Sequence, residues 1–414
     1  MRVGLVFGSR SVEHEISVTT ASKAYEALRQ LADWETVPLY VTKAGAWLAG
    51  PAVVELLTVE AEGRAAKDPG ERKAHQADYK RRLQELARGA GQVEALFLAP
   101  DSTVKGLVAS PAQRGWFKKA IGTAVDVAFP TVHGTHGEDG TLQGLFELAD
   151  IAYVGCGVAA SAVGMDKVQS KLLFRGAGLP VLPAVWFTRW EWLGDEAEVV
   201  RRVEAGLTYP VVVKPAVAGS SVGIARATSA AELARAAGKA IQFATRVIVE
   251  RSVEQRLEIQ CGILGNHDLQ VSLCEELAGA GGIVSFEDKY LRPAGREEAD
   301  LAPSHIPARI PEALAKEIQT LALAAYRVLD ARGIARVDFL VDTGTRQAFV
   351  NEINTLPGSL CLRLWEATGV PPATVVRRLL DLALEAHRER AATRFESEEG
   401  AGLVDKKHLM APGK

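Results

Sequence analysis

Cysteine is scarce in this chain: there are four in 414 residues, at positions 156, 261, 274 and 361, and no Cys-x-x-Cys pair. A disulfide framework or a thiolate zinc site needs clustered cysteines, so neither is indicated, and buried free thiols are expected instead. Charge of one sign is also lacking. The net charge of −3 carries no basic footprint for nucleic acid. Long apolar runs are absent too: VDVAFPTV, residues 125–132, falls far short of the ~18 residues that cross a bilayer. The opening MRVGLVFGSRS shows neither the long apolar segment nor the small-residue cleavage site of a signal peptide. The expectation these absences leave is a cytoplasmic enzyme acting on small molecules, without membrane or nucleic-acid partners. At 48% hydrophobic content, 414 residues can fill two or three cores.

The pattern along the chain divides accordingly. RVGLVF reads as a strand, GSRS as a turn, and SVEHEISVTTASKAYEALRQL as a helix with Ser11 and Glu13 near its start. WETVPLYVTK is the next strand, so the chain begins as a βαβ unit and a parallel sheet is expected. Residues 55–90 are charged and Ala-rich, which reads as exposed helix or an insertion. VDVAFPTVHGTHGEDG is a strand running into a polar, Gly-rich loop, the kind of strand end where open parallel sheets gather ligands. A first α/β domain is expected over 1–155. Over 156–247, helices flank a strand pair and Ser229 and Glu232 are spaced as a capping box, giving a small α+β unit. A third unit over 248–387 contains the strands ARVDFLVD and QAFVNEIN, and the charged stretch 388–414 is expected to be solvated.

Two places carry chemistry. In VVVKPAVAGSSVGIARA, residues 211–227, the lysine precedes the glycines and the chain returns as a strand. A phosphate-binding loop of the Gly-Lys-Ser/Thr type would run straight into a helix, so this is a hairpin. Its Gly-Ser turn can still lay backbone N–H groups over phosphates, with Lys214 supplying charge from beneath. Taken alone, such a hairpin is only a turn.

The second place is RVDFLVDTGTRQAFVNEIN, residues 336–354. A period of two puts Arg336 and Asp338 on one strand face and Glu352 and Asn354 on one face of the next, leaving Val337, Phe339 and Val341 for the core. Three oxygen-bearing side chains converging on a hairpin suit Mg²⁺, with room for two ions. A solvated face with incidental charges is the alternative, weakened by the NEINTLPG loop that follows.

The whole set resembles the D-alanine–D-alanine ligases of the ATP-grasp superfamily. GSRSVEHEIS, HGTHGEDGTLQGLFELADIAYVG, GMDKVQSKLLFRGAGLPV, VVVKP…GSSVGI, FEDKYL, RVDFLVD and NEINTLPG follow in the family's order across about residues 1–385. The resemblance implies an ATP-grasp fold behind a Rossmann-like N-terminal domain, with ATP held between two α+β units and an amino-acid pocket against the first domain. It implies nucleotide contacts from Lys167, Lys214, Ser221, Glu250, Glu258 and Lys289, and Mg²⁺ ligands Asp338, Glu352 and Asn354, with Mn²⁺ as a substitute ion. Glu13, Ser220 and Tyr290 would form the closure at the first substrate, Arg336 and the Gly358 N–H the oxyanion donors, and His133 a neighbour of the second substrate. Two amino acids are the implied small-molecule partners, and a homodimer the implied assembly.

One segment departs from the family. After Pro357-Gly358 the chain is short and apolar, with Arg363 as its only charge, where family members carry a longer Thr- and Ser-rich stretch. Arg363 is therefore expected at the second-substrate pocket. A related ligase joining a different amino acid or hydroxy acid is the alternative this segment leaves open.

Overall fold

The computed structural model describes residues 1–104, 106–109, 122–219, 222–277 and 304–394. Three sheets organise them. The first is built on β1 (Arg2–Gly8), whose residues from Val3 to Gly8 are all buried, as expected of a strand covered on both faces. β1 lies parallel to β2 (Glu35–Val41) on one side and to β7 (Val127–Pro130) on the other, and β7 is parallel to β8 (Ala152–Tyr153). Helix α1 (His14–Leu28) is the crossover from β1 to β2 and buries Val18, Ala21, Ala24 and Leu28 against the sheet. The expected βαβ opening is thus present.

The sheet is not parallel throughout. β3 (Trp47–Ala49), β4 (Glu94–Leu98), β5 (Gly106–Ala109) and β6 (Gly122–Ala124) extend it antiparallel beyond β2. The reason is local: β2 and β3 are joined by a turn in which Thr42 N–H donates to the Ala46 carbonyl at 2.8 Å. A parallel return would need a crossover of a dozen residues or more. Residues 55–90 are also only half as expected. α3 (Pro69–Ala87) is exposed, with Leu86 its one buried residue, but α2 (Pro51–Ala65) packs Val53, Leu56 and Leu57 into the core at 0, 0 and 1% exposure.

The second sheet has the order β11-β10-β12-β9, all antiparallel: β9 (Ala184–Thr188), β10 (Val211–Pro215), β11 (Ala225–Ala227) and β12 (Arg246–Arg251). β10 and β11 are the predicted hairpin, with Val211 opposite Ala227. Helix Ala230–Ala240 begins at Ser229, whose hydroxyl accepts from Glu232 N–H, while the Glu232 carboxylate accepts from Thr228 N–H.

In the third sheet β13 (Arg256–Leu264) is central, flanked by β17 (Ile334–Asp342) and by β14 (Gln270–Val271) and β15 (Glu275–Leu277). β16 (Ser304–His305) and β18 (Ala348–Asn354) form its edges. Helix Glu312–Val328 covers the face made by Val337, Phe339 and Val341, which are exposed by 0, 1 and 2%. Helix Pro372–Ala391, the last among the described residues, leaves this sheet and packs Val375, Val376, Leu379 and Leu380 beside α1 in the core of the first. Each such side chain contributes roughly 1.5–3 kcal/mol, so this helix clamps the first and third sheets together. Cys156, Cys261 and Cys274 are buried free thiols and Cys361 is half-buried.

Candidate active site

The three sheets meet around one cleft of about 300 Å³. β10 and β12 form one wall, β13, β17 and β18 the other, and loops of the first sheet close the end. Of the predicted site residues among the described ones, all but Arg363 line it: Glu13, His133, Lys167, Lys214, Glu250, Glu258, Arg336, Asp338, Glu352, Asn354 and Gly358. Ser220, Ser221, Lys289 and Tyr290 lie outside the described residues.

β17 and β18 pair Arg336 with Asn354 and Asp338 with Glu352, which gathers the acidic groups on the cleft face. Arg336 donates through Nε to Asp338 Oδ1 at 2.6 Å and through Nη2 to Oδ2 at 2.7 Å, and Asn354 Nδ2 donates to Oδ2 at 3.0 Å. Burial lowers the guanidinium's pKa, but Asp338 overcomes this and holds it above its ordinary value. The register shifts between Asp338 and Phe339, leaving Asn351 as the extra residue on β18. A bulge re-aims a side chain, and here Asn351 joins Glu352 in lining the cleft. Two carboxylates and a carboxamide, with no thiol or imidazole, form a hard-oxygen set that fits a divalent cation bound with phosphate. Protein cations already sit against them, Arg336 on Asp338 and the Lys167 ammonium 3.4 Å from Glu352.

Lysines dominate the opposite wall. Lys167 opens α6 (Lys167–Gly176), whose N-cap Asp166 accepts from Val168 and Gln169 N–H. Its backbone N–H donates to the Ala216 carbonyl and its Nζ to the Ala218 carbonyl, both at 2.9 Å, so it is tied to the turn after β10. Lys214 donates to Glu250 Oε2 at 2.6 Å and to Asn351 Oδ1 at 3.2 Å. Lys171 lies 2.8 Å from Glu250 Oε1. Burial alone would push Glu250 up, but the two ammonium groups reverse that and hold it near 2.

At the closed end the polar groups are buried. His133 places Nδ1 3.1 Å from the Leu356 carbonyl and Nε2 2.8 Å from the Thr20 hydroxyl, which also accepts from Ser359 N–H at 3.0 Å. A carbonyl can only accept, so the network assigns the proton to Nδ1 and leaves Nε2 to accept from Thr20. Burial lowers this imidazole to about 4, keeping it neutral. Glu138 accepts from Gly134 N–H at 2.7 Å and from Leu356 N–H at 3.3 Å, while burial and then nearby Glu13 push it up to about 8. Glu13 lies at the N-cap of α1 without capping it. Its carboxylate occupies the space where a side chain on Gly134 or Gly219 would stand, 2.3 Å and 2.7 Å from the respective Cβ positions. A side chain at either position would push that carboxylate aside, and Gly134, at φ +69°, also holds a backbone conformation that favours glycine.

Sequence reasoning missed Lys171, Glu138, Asn351 and Thr20. Lys171 is four residues after Lys167 on one helix, a spacing that puts both on one face. Glu138 stands within HGTHGEDG, but nothing in its spacing separates it from its neighbours. The placing of Asn351 follows from a bulge that no periodicity signals. Arg363 needs correction: it does not line the cleft. Its guanidinium makes a close ion pair with Glu275 and donates to Ser304 Oγ at 2.6 Å, because Glu275, 5% exposed, needs a cation more than the open end of the cleft does.

Residues 2–156 match the family model described as D-ala D-ala ligase N-terminus, and residues 173–381 the one described as D-ala D-ala ligase C-terminus. Among curated proteins, the D-alanine--D-alanine ligase of Heliobacterium modesticaldum is 38% identical over 393 residues, covering 94% of this chain and 96% of that one. The ligase of the same name from Listeria monocytogenes serotype 4b is 37% identical over 399 residues, covering 95% and 98%. Among solved structures, the D-Ala:D-Ser ligase VanG of Enterococcus faecalis superposes with a TM-score of 0.73 at 29% identity, over 92% of this chain and 99% of that one. The D-alanine-D-alanine ligase of Coxiella burnetii gives 0.73 at 26%, over 94% and 96%.

Proposed function

The chain belongs to the D-alanine–D-alanine ligase family, and from that premise we propose that its cleft joins two D-alanines at the expense of ATP, supplying a peptidoglycan precursor. One observation supports the reading: the side chains proposed for the nucleotide, the cation and the amino acids come from elements of three separate sheets and line one cavity. The curated relatives share the D-alanine--D-alanine ligase name, so the alternative of a different second substrate gains no support from them.

A carboxylate is a poor electrophile, and transfer of the γ-phosphoryl group of ATP turns the first D-alanine's carboxylate into an acyl phosphate. Lys167 and Lys214 face the phosphates, where their ammonium charge offsets that of the transferring group. Glu250 and Glu258 take the adenosine end. Asp338, Glu352 and Asn354 would hold Mg²⁺, two ions or Mn²⁺ in its place, which neutralises phosphate charge when bound. Glu13 receives the first substrate's ammonium. Attack by the second amine forms a tetrahedral oxyanion, met by Arg336 and the Gly358 N–H, donors that are in place before the charge develops, and its collapse expels inorganic phosphate and leaves the amide bond. His133, neutral and pinned on both nitrogens, borders the second substrate without adding a charge to it. Ser220, Ser221, Lys289 and Tyr290 complete the assignment by family pattern alone.

Division into units at 1–155, 156–247 and 248–387, a homodimer, and residence in the cytoplasm belong to the same proposal. Among the described residues no helix is long and apolar enough to cross a membrane. The test is ADP release with Mg·ATP and D-alanine, with mass spectrometry of the product, beside other D- and L-amino acids and D-lactate. D-alanyl-D-alanine matched by ADP is the expected result; ADP formed only with another acceptor, or no turnover, overturns it.

A further inference from the structure

Lys171 has no part in the reaction as assigned above, yet its side chain is 3% exposed, against 10% for Lys214 and 11% for Lys167. Burying an ammonium group costs several kcal/mol unless it is well compensated. Helix α6 buries Val168 and Phe174 nearby, and an apolar residue at 171 would serve packing at no such cost. Among the described residues Lys171 pairs with Glu250, itself 1% exposed, with Oε1 2.8 Å from Lys171 and Oε2 2.6 Å from Lys214. Lys214 in turn reaches Asn351 Oδ1 at 3.2 Å. The four side chains form a line from α6 through β12 and β10 to β18, crossing between the two sheets that wall the cleft.

We infer that Lys171 is a positioning residue for nucleotide binding: by occupying Glu250 Oε1 it confines Lys214 to Oε2 and keeps the Lys214 ammonium available to phosphate. This rests on the reading of Lys214 as a phosphate ligand. An ammonium has three donors. Glu250 and Asn351 engage two among the described residues, and Lys214 lines the cleft. Without Lys171, Oε1 is a buried acceptor that has lost its cation, and the nearest remedy is for Lys214 to turn fully onto Glu250, away from the cleft. The charge sum points the same way. Glu250 with Lys214 alone is neutral, whereas with Lys171 the buried group carries one net positive charge beside the phosphate site.

The test is steady-state kinetics on the full chain with Mg·ATP and D-alanine. Lys171→Met is expected to raise KM for ATP about tenfold, equivalent to about 1.4 kcal/mol, and to leave KM for D-alanine within about twofold. In a Glu250→Gln background the same change should add less than about twofold, since the group it acts through is gone. That comparison also serves if Lys171→Met alone does not fold, because the double variant leaves no buried charge unpaired by the missing lysine. A merely structural lysine would lower the melting temperature and kcat without separating the two KM values, and that result overturns the inference, as does an effect on KM for ATP that persists in full in the Glu250→Gln background. Lys214→Met separates the two levels. If it leaves KM for ATP unchanged, the phosphate-ligand reading fails and this inference with it, whereas a rise there with none in Lys171→Met removes only the inference.

Discussion

Arg336 and Asp338, two residues apart on β17, face each other as a fork on a carboxylate, with both N–H···O distances at 2.6–2.7 Å. The pairing fixes the plane of the guanidinium, so its remaining donors are aimed before any substrate arrives. Such preorganisation is what an oxyanion site requires, since donors that must reorient during the reaction lose much of their value.

Arg336→Lys tests whether the fork or the charge matters. Lysine keeps the positive charge but cannot span both carboxylate oxygens and still present a directed N–H. A kcat loss of about 10²–10³-fold is expected, the size seen when one oxyanion donor is removed, with a smaller change in KM for ATP. Retention of wild-type kcat by the lysine variant would remove Arg336 from the oxyanion site.

Glu352→Gln keeps the shape of the side chain and removes its charge. Glu352 is partly exposed and its neighbour Lys167 has a second partner in the Ala218 carbonyl, so the fold should tolerate the change. Turnover with Mg·ATP is expected to fall at least about 100-fold, because a bound cation offsets several kcal/mol of phosphoryl charge. The melting temperature should stay within a few degrees. Normal activity over a Mg²⁺ titration would show that Glu352 is not a cation ligand.

His133 gives a pH prediction with a definite sign. Its folded pKa lies near 4, below the 6.5 of a free imidazole, because burial disfavours the cation. As pH falls below 6.5 the unfolded chain takes a proton that the folded chain refuses until about 4. Stability is therefore lost across that window, by roughly 3 kcal/mol in all. Glu138 acts oppositely: its folded pKa is raised to about 8, so its contribution is present below the usual carboxylate range and fades as pH rises toward 8. His133→Asn should remove the first effect and keep the second. Melting temperatures from pH 7 to 4.5 should show the variant losing less stability than the parent, and parallel curves would contradict a buried neutral His133.

How much of this could be read from the sequence depended on whether the cause was local. Period-two patterning placed Arg336, Asp338, Glu352 and Asn354 correctly, since alternation along a strand is a property of the strand itself. The 211–227 hairpin was equally legible from the order of its lysine and glycines. The antiparallel half of the first sheet was not, because its cause is a five-residue turn whose neighbours look like any α/β segment. Glu138, Lys171 and Thr20 were missed because their environments are made by contacts far along the chain: Thr20 is 113 residues from His133 and 339 from Ser359. Charge and burial at such places arise only on folding.

Arg363 shows the same limit in reverse, since composition singled it out for a place it does not occupy. It pairs with Glu275 on β15 and Ser304 on β16, adjacent antiparallel strands, so its guanidinium pins an edge of the third sheet. Glu275 is also held by Gln260 Nε2 at 2.6 Å, and Gln260 lines the cleft one strand inward. Arg363→Ser is therefore expected to leave both amino-acid KM values within about twofold, because no contact to the cleft is lost directly. It should lower the melting temperature by a few degrees, since a nearly buried carboxylate loses its cation while Gln260 and solvent compensate in part. Kinetics with D-alanine as varied substrate, alongside melting curves, decide between the two placements. An altered choice of second substrate at unchanged stability would return Arg363 to the pocket; lowered stability with unchanged selectivity would leave it where the structure puts it, as a strut for the strand that positions Gln260.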